Sequence, residues 1–346
     1  AQAQKEITDQ GGIDGRLVQV KIVNDSSQNI SSDHDLTPVV AGALAQDPAI
    51  VAVIGSFTSP STADAAEHYA EAGLVSISPT STAVRNKDGF SLSEGVFRTA
   101  PTDAKAAQDL SEKIVDLGYE DIGVVYESGN SYSNSLKQQV VLELDGMAEV
   151  IESESCDRSS NRFSANRCVN DDLADADAML LLPSTEIGTD FEVVPRNSLR
   201  ENPLPLLGGD AIFGNETLIE MGTDVEGMLV SVPWHQSSDA NGLARNFLAD
   251  ADKTWASAVN WRTALAYDAA QAIFESINQI NRQPTRQAIK SQLLTGQFSG
   301  FLGANTIEFN ESGDRVLRED LGLGTIVQVE CPDSRNESCT YVEPNL

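Results

Sequence analysis

The chain has 346 residues, 40% of them apolar, and 52 Asp and Glu against 23 Lys and Arg give a net charge of −29. That length exceeds what one hydrophobic core usually serves, so two domains are expected. A field of this sign repels phosphate backbones and anionic lipid, which argues against nucleic-acid binding and membrane-surface attachment; the acids are dispersed rather than blocked, as on a solvated surface.

No apolar run approaches the roughly 18 residues of a membrane span, and Ala1 opens a polar helical pattern, so any export signal or anchor is expected to lie outside these residues. Ala1 to Gln10 reads as a helix stopped by Gly11 and Gly12, and Leu17 to Val23 alternates as a strand does. A helix over Leu36 to Ala45, a strand over Ile50 to Ile54, a helix over Ser61 to Ala72 and a strand over Leu74 to Ser78 follow, then a helix from Asp103 to Leu117 and a strand from Ile122 to Tyr126.

A second series comprises a helix over Ser133 to Leu144, a strand over Glu149 to Ser153, a helix over Phe163 to Leu173 and an apolar strand over Ala178 to Leu182. It continues with a helix over Glu186 to Leu199, a short strand over Pro205 to Leu207, a helix over Glu216 to Met221 and a strand over Met228 to Val232. Helices over Trp261 to Ile280 and Thr285 to Leu294, and strands near Thr306 to Phe309 and Thr325 to Glu330, complete the reading. Such alternation predicts α/β layers around parallel sheets. The opening helix lacks the apolar strand that normally precedes it in a βαβ unit: either the sequence starts late or that strand comes from elsewhere.

Cys156, Cys168, Cys331 and Cys339 lie in polar, turn-rich surroundings. Of the three possible connectivities, local pairing of 156 with 168 and of 331 with 339 closes the shortest loops and implies an oxidising compartment. Four unpaired surface thiols are the competing reading, and zinc is disfavoured because no CxxC occurs and only His34, His68 and His235 are available.

Open parallel sheets bind ligands beyond the carboxyl ends of their strands. After Ile54 comes Gly55-Ser56-Phe57-Thr58-Ser59-Pro60-Ser61-Thr62, with Ser59 placed as N-cap and Pro60 at the first helical position. After Ile77 the pattern recurs as Ser78-Pro79-Thr80-Ser81-Thr82. Either corner alone reads as a helix cap; two on neighbouring strands suit a carboxylate, with a threonine hydroxyl also able to accept from an ammonium. In the second series, Glu127 to Tyr132 can present Tyr132 as a flat lid, and Gly208-Gly209-Asp210 ends in one carboxylate, unless Asp210 caps the helix near Asn215. Anion-binding corners and a carboxylate together complement a zwitterion. At about 1.5–3 kcal/mol per charge-assisted hydrogen bond, a handful reaches the roughly 8 kcal/mol of micromolar binding. No GxSxG, P-loop, GxGxxG or HExxH pattern occurs, so no enzyme and no cofactor is expected.

These residues resemble the type I periplasmic solute-binding proteins of the leucine/isoleucine/valine (branched-chain amino acid) class of ABC transporters. The resemblance rests on ITDQGGIDG (Ile7 to Gly15), Asn24-Asp25, VAVIGSFTSPST (Val51 to Thr62), AGLVSISPTST ending at Thr82, Phe97-Arg98-Thr99, Ile122 to Tyr126, Phe163-Ser164, PLLGGD (Pro205 to Asp210) and Ala266-Tyr267-Asp268-Ala269. It implies two Rossmann-like lobes, 1–102 with 234–313 and 103–233 with 314–346, joined by three crossings near Thr99 to Asp103, Val232 to His235 and Glu311 to Arg315. It further implies that Ser59, Thr80 and Thr82 hold the ligand's carboxylate and ammonium beside Thr58, that Tyr132 covers the ligand, that Asp210 binds the ammonium, and that Phe57 and Trp234 line the side-chain pocket. The implied protein is extracytoplasmic and passes an amino acid to an ABC-transporter permease; the alternative is a sensor ectodomain feeding a receptor signalling domain. The family's first strand is absent, Asp210 stands where relatives often carry Glu, and the Cys-bounded insert and tail are additions.

Overall fold

The computed structural model describes residues 2–25, 36–86, 90–188, 191–239, 241–255, 259–280, 283–332 and 338–344; Ala1 and His34 lie outside them. The chain divides into two compact units, one formed by Ala1–Thr102 and Asp239–Leu323, the other by Asp103–Ser238 and Gly324–Leu346. The changeovers therefore fall at 102/103, 238/239 and 323/324, which assigns 234–238 to the second unit and 314–323 to the first. Residues 314 and 315 are tied there by ion pairs of Asp314 with Arg98 and of Arg315 with Asp268.

In chain order the first unit contributes α1 (Gln2–Asp9), α2 (Thr37–Gln46), β1 (Ala52–Ile54), α3 (Ser59–Glu71), β2 (Val75–Ser78) and β3 (Val96–Arg98). The second contributes α4 (Asp103–Asp116), β4 (Asp121–Val125), α5 (Ser131–Glu143), β5 (Glu149–Ile151), α6 (Ala165–Arg167), β6 (Ala178–Leu181), α7 (Val193–Ser198), β7 (Leu206–Gly208), α8 (Asn215–Met221) and β8 (Leu229–Val232). The first resumes with α9 (Arg245–Trp255), α10 (Trp261–Gln279), α11 (Arg286–Thr295), β9 (Gln297–Gly300) and β10 (Gly303–Glu308), and the second ends with β11 (Thr325–Glu330) and β12 (Thr340–Val342).

In the first unit β1, β2 and β3 form a parallel sheet in that order, with Ile54 beside Ile77 and Ile77 beside Phe97. Val75, Ile77 and Phe97 join Ile273, Phe274, Phe298, Ile307 and Phe309 in one core. The second unit holds a seven-stranded sheet in the order β12-β11-β8-β7-β6-β4-β5, parallel from β8 through β5 and antiparallel at β11 and β12. Strands β6, β7 and β8 are buried throughout, and β6 accordingly reads as a continuous apolar run. Helices start where short polar side chains capture free N–H groups: Asn130 accepts from Tyr132 and Ser133, Asn260 from Arg262 and Thr263, and Thr285 from Ala288.

Several expectations are corrected. Leu17 to Val23 forms no strand; it makes no ladder among the described residues, and Leu17 and Ile22 are 73% and 92% exposed. Val18 alone of the segment packs on the core cluster, and β1 pairs only with β2 among the described strands, so no neighbour supplies the ladder. The N-cap of α3 is Thr58 rather than Ser59, because the Thr58 hydroxyl accepts from Ser61 N–H at 3.2 Å. The helix expected over Phe163 to Leu173 is α6 followed by a wider π-type turn at Cys168–Asp172, and that over Glu186 to Leu199 shortens to α7. Gly11 and Gly12 do stop α1: both adopt left-handed φ, +93° and +82°, and a side chain on Gly12 would run into the Arg16 carbonyl.

Candidate functional site

In the first unit the loops after β1 and β2 interlock through hydroxyls. Ser78 Oγ donates to the Ser56 carbonyl at 2.7 Å and accepts from Ser81 N–H at 3.1 Å. Thr80 Oγ1 donates to the Phe57 carbonyl, and Thr62 Oγ1 donates to the Thr58 carbonyl at 2.8 Å. Ser59 Oγ accepts from the N–H groups of Thr82 and Ala83 and from the Ser81 hydroxyl, each at 3.3 Å. Ser59, Thr80 and Thr82 are thus brought together as buried members of one cluster at the carboxyl ends of parallel strands. Within it the Thr82 hydroxyl differs from its neighbours: it is buried and makes no hydrogen bond among the described residues. Buried hydroxyls are ordinarily paired, and leaving one unpaired costs on the order of 1–3 kcal/mol.

Phe57 stands on the same loop, 37% exposed, with the Arg262 guanidinium 6.0 Å from its ring centre. Phe57 and Thr80 also line a cavity of about 230 Å³ whose other walls include Val23, Val53, Ile54 and Tyr69. The corner therefore adjoins apolar space.

In the second unit the loops after β4 and β7 meet. The Tyr132 hydroxyl accepts from Ala211 N–H at 3.3 Å, and Tyr132 and Asp210 are both buried. Burial, then the carboxylates of Asp210 and Asp103, push the Tyr132 phenol well above its ordinary value. Gly209 makes this approach possible, since a side chain there would overlap the Tyr132 hydroxyl and Leu136. The start of α5 is fixed beneath: Ser133 Oγ donates to the Leu182 carbonyl and accepts from Glu127 N–H at 2.8 Å. Asp210 does not cap α8, whose N-cap position is Gly214; it opens a short 3₁₀ turn, Asp210–Ile212. Trp234 follows β8 in this unit and is 1% exposed.

Asp103 was not singled out from sequence. It is wholly buried at the first turn of α4 and acts electrically on Tyr132, so the phenol faces two carboxylates rather than one. Its only sequence signal is an acid at a helix start just after Pro101-Thr102. Both expected disulfides are present, Cys156–Cys168 and Cys331–Cys339, and both lie in the second unit.

Comparisons with known structures place this architecture. An ABC-transporter substrate-binding protein of Desulfitobacterium hafniense in complex with Leu superposes with a TM-score of 0.75 at 22% identity, covering 99% of this chain and 93% of that one. The fold is that of the type I periplasmic binding proteins. The branched-chain amino acid binding protein LivJ of Streptococcus pneumoniae in complex with isoleucine gives 0.74 at 18% identity, covering 99% and 92%. A solute-binding protein of Rhodopseudomonas palustris in complex with 3,4-dihydroxybenzoic acid gives 0.76 at 16%, covering 99% and 91%. By sequence, an amino acid binding protein of Pseudomonas aeruginosa is 28% identical over 169 residues, 48% of this chain and 42% of that protein, so the match spans less than half of either. No family model matches the chain.

Proposed function

We propose that this chain is an extracytoplasmic amino-acid-binding protein that closes around its ligand by bending at the three crossings and delivers it to an ABC transporter. The observation that carries the reading is the Thr82 hydroxyl, buried and without a hydrogen bond among the described residues, inside a cluster where the hydroxyls of Ser59, Ser78 and Thr80 are engaged. A ligand carboxylate supplies the missing partner, with Ser59 and Thr80 shaping the corner and Phe57 and Thr58 flanking it. In the second unit Asp210, with Tyr132 laid against it and Asp103 beside them, suits the ligand's ammonium; Trp234 forms part of the apolar wall. The two disulfides support an oxidising, extracytoplasmic setting.

The fold alone does not choose the ligand, since its relatives include one in complex with leucine and another with an aromatic acid. The acids support the amino-acid reading, since two buried carboxylates around a phenol favour a cationic group over a second anion. Bound ligand stabilises the closed form by its differential affinity, the hinge closure typical of periplasmic binding proteins. A thermal-shift screen of the twenty protein amino acids, with 3,4-dihydroxybenzoic acid as the aromatic-acid arm, tests the reading. One or more amino acids raise Tm, by about 2.7 kcal/mol of stabilisation at a hundredfold excess over Kd. A response to the aromatic acid and to no amino acid overturns it, as does no response at all.

A further inference from the structure

The Cys-bounded tail, which the sequence left without a role, reaches the Asp210 loop. Strand β12 pairs antiparallel with β11, Gln328 beside Val342 and Glu330 beside Thr340, and the Cys331–Cys339 disulfide ties the two strands beyond that pairing. Tyr341, two residues after Cys339, extends from this clamp to the turn that follows Asp210. Its hydroxyl accepts from Gly214 N–H at 3.2 Å and faces two acceptors, the Ile212 carbonyl at 3.2 Å and the Gly214 carbonyl at 3.3 Å. Its ring lies on Phe213, centre to centre 4.2 Å. Phe213 is itself buried and meets the His235 ring at 6.1 Å. The turn Asp210–Gly214 is thereby held at its far end by Tyr341 and at its near end by Tyr132, which accepts from Ala211 N–H.

We propose that Tyr341, clamped by the Cys331–Cys339 disulfide, is a positioning residue for Asp210 and so sets the protein's affinity for the ligand's ammonium. The proposal rests on the assignment of Asp210 to that ammonium. A carboxylate on a three-residue 3₁₀ turn has little regular structure of its own to fix it, and a charge-assisted hydrogen bond loses strength quickly when its acceptor wanders. Tyr341 touches the backbone on which Asp210 rides, so its effect passes through that carboxylate.

The test is a double-mutant cycle on ligand affinity, using whichever of the twenty amino acids raises the Tm of the unaltered protein most, titrated calorimetrically into the millimolar range. Tyr341→Phe keeps the ring on Phe213 and removes the hydroxyl; it weakens binding by about tenfold. In the Asp210→Asn background, where the carboxylate is gone, the same change costs less than twofold. Cys331→Ser with Cys339→Ser behaves in the same way if the clamp acts through Tyr341. Penalties that stay the same in both backgrounds, as a merely structural role gives, overturn the positioning role while the ligand assignment stands, and so does an unaltered affinity in Tyr341→Phe. If no amino acid raises Tm of the unaltered protein, the ligand assignment fails and this proposal fails with it.

Discussion

Long-range ties in the first unit are made by arginines. Arg98, wholly buried, pairs with Asp314 at 2.7 Å; Arg315 pairs with Asp268 at 2.7 Å, both side chains fully buried; Arg286 donates to the carbonyls of Ala45, Asp47, Ile50 and Ala72. In the second unit Arg200 does the same for the carbonyls of Val169, Leu173 and Ala174, but two disulfides and a seven-stranded sheet share the work. The parallel sheet of the first unit has three strands among the described residues against seven in the sheet of the second, so fixed cations that gather distant carbonyls and carboxylates substitute for sheet breadth. The two halves of the proposed site thus stand on different chemistry, and different insults should loosen them separately.

The largest effect is expected from Asp268→Ala. It strands the Arg315 guanidinium without its buried carboxylate and removes the acceptor of Phe301 N–H, at a cost of about 3–5 kcal/mol. Hydrogen exchange should show the loss in the first unit, at α10, β9 and β10, while β4 to β8 keep their protection. Equal loosening of both units would break the contrast. Cys156→Ser with Cys168→Ser is the converse: closing a loop of this size stabilises by about 3 kcal/mol, and exchange should rise around Tyr126 to Asn130, leaving the first unit unchanged.

A smaller effect sharpens the same comparison. The insert closed by Cys156–Cys168 grips the loop before Tyr132: Asp157 accepts from Ser128 N–H at 3.0 Å and Ser159 N–H at 2.9 Å, and Ser159 Oγ accepts from Gly129 N–H at 3.0 Å. Burial pushes the Asp157 carboxyl upward, yet the hydrogen bonds from Ser128 and Ser159 hold it below its ordinary value. A carboxyl depressed in the folded state contributes fully above the unfolded value of about 3.9 and loses that contribution as pH falls through the lower folded one. Asp157→Ala should cost about 1.5 kcal/mol near neutrality and flatten the acid limb of stability below pH of about 4, followed by unfolding as a function of pH. An unchanged acid limb would remove Asp157 from the account.

The α/β class was legible because helix-period and strand-like segments alternate along the chain, with β6, β7 and β8 as short buried runs between helices. Leu17 to Val23 misled because alternation carries no information on whether a neighbouring strand exists to complete the ladder, and without one Leu17, Val20, Ile22 and Val23 stay exposed. Helix α9 was missed since its sequence, RNFLADADKTW, is polar along most of its length. The hydroxyl corners could be read locally, each within a few residues of a strand end. Asp103 and Tyr341 could not: the first acts on a tyrosine 29 positions away by charge and burial, and the second meets Gly214 across a separation of 127 residues.

Thr82→Val separates a binding hydroxyl from a structural one by sign. Valine has nearly the same shape, so the change removes the hydroxyl with little change in packing. If Thr82 Oγ1 held the fold together, its loss would lower Tm; because it is buried and makes no hydrogen bond among the described residues, its loss should raise the ligand-free Tm, by about 1 kcal/mol of stability. On the proposed assignment the same substitution weakens amino-acid binding severalfold, since Thr82 is there a donor to the ligand's carboxylate. Ser59→Ala supplies the contrast: Ser59 Oγ accepts from Thr82 N–H and Ala83 N–H, so its loss strands two buried donors and should lower stability and affinity together. A Thr82→Val protein that melts lower and binds unchanged would reassign the hydroxyl to the fold and leave the corner without its ligand contact.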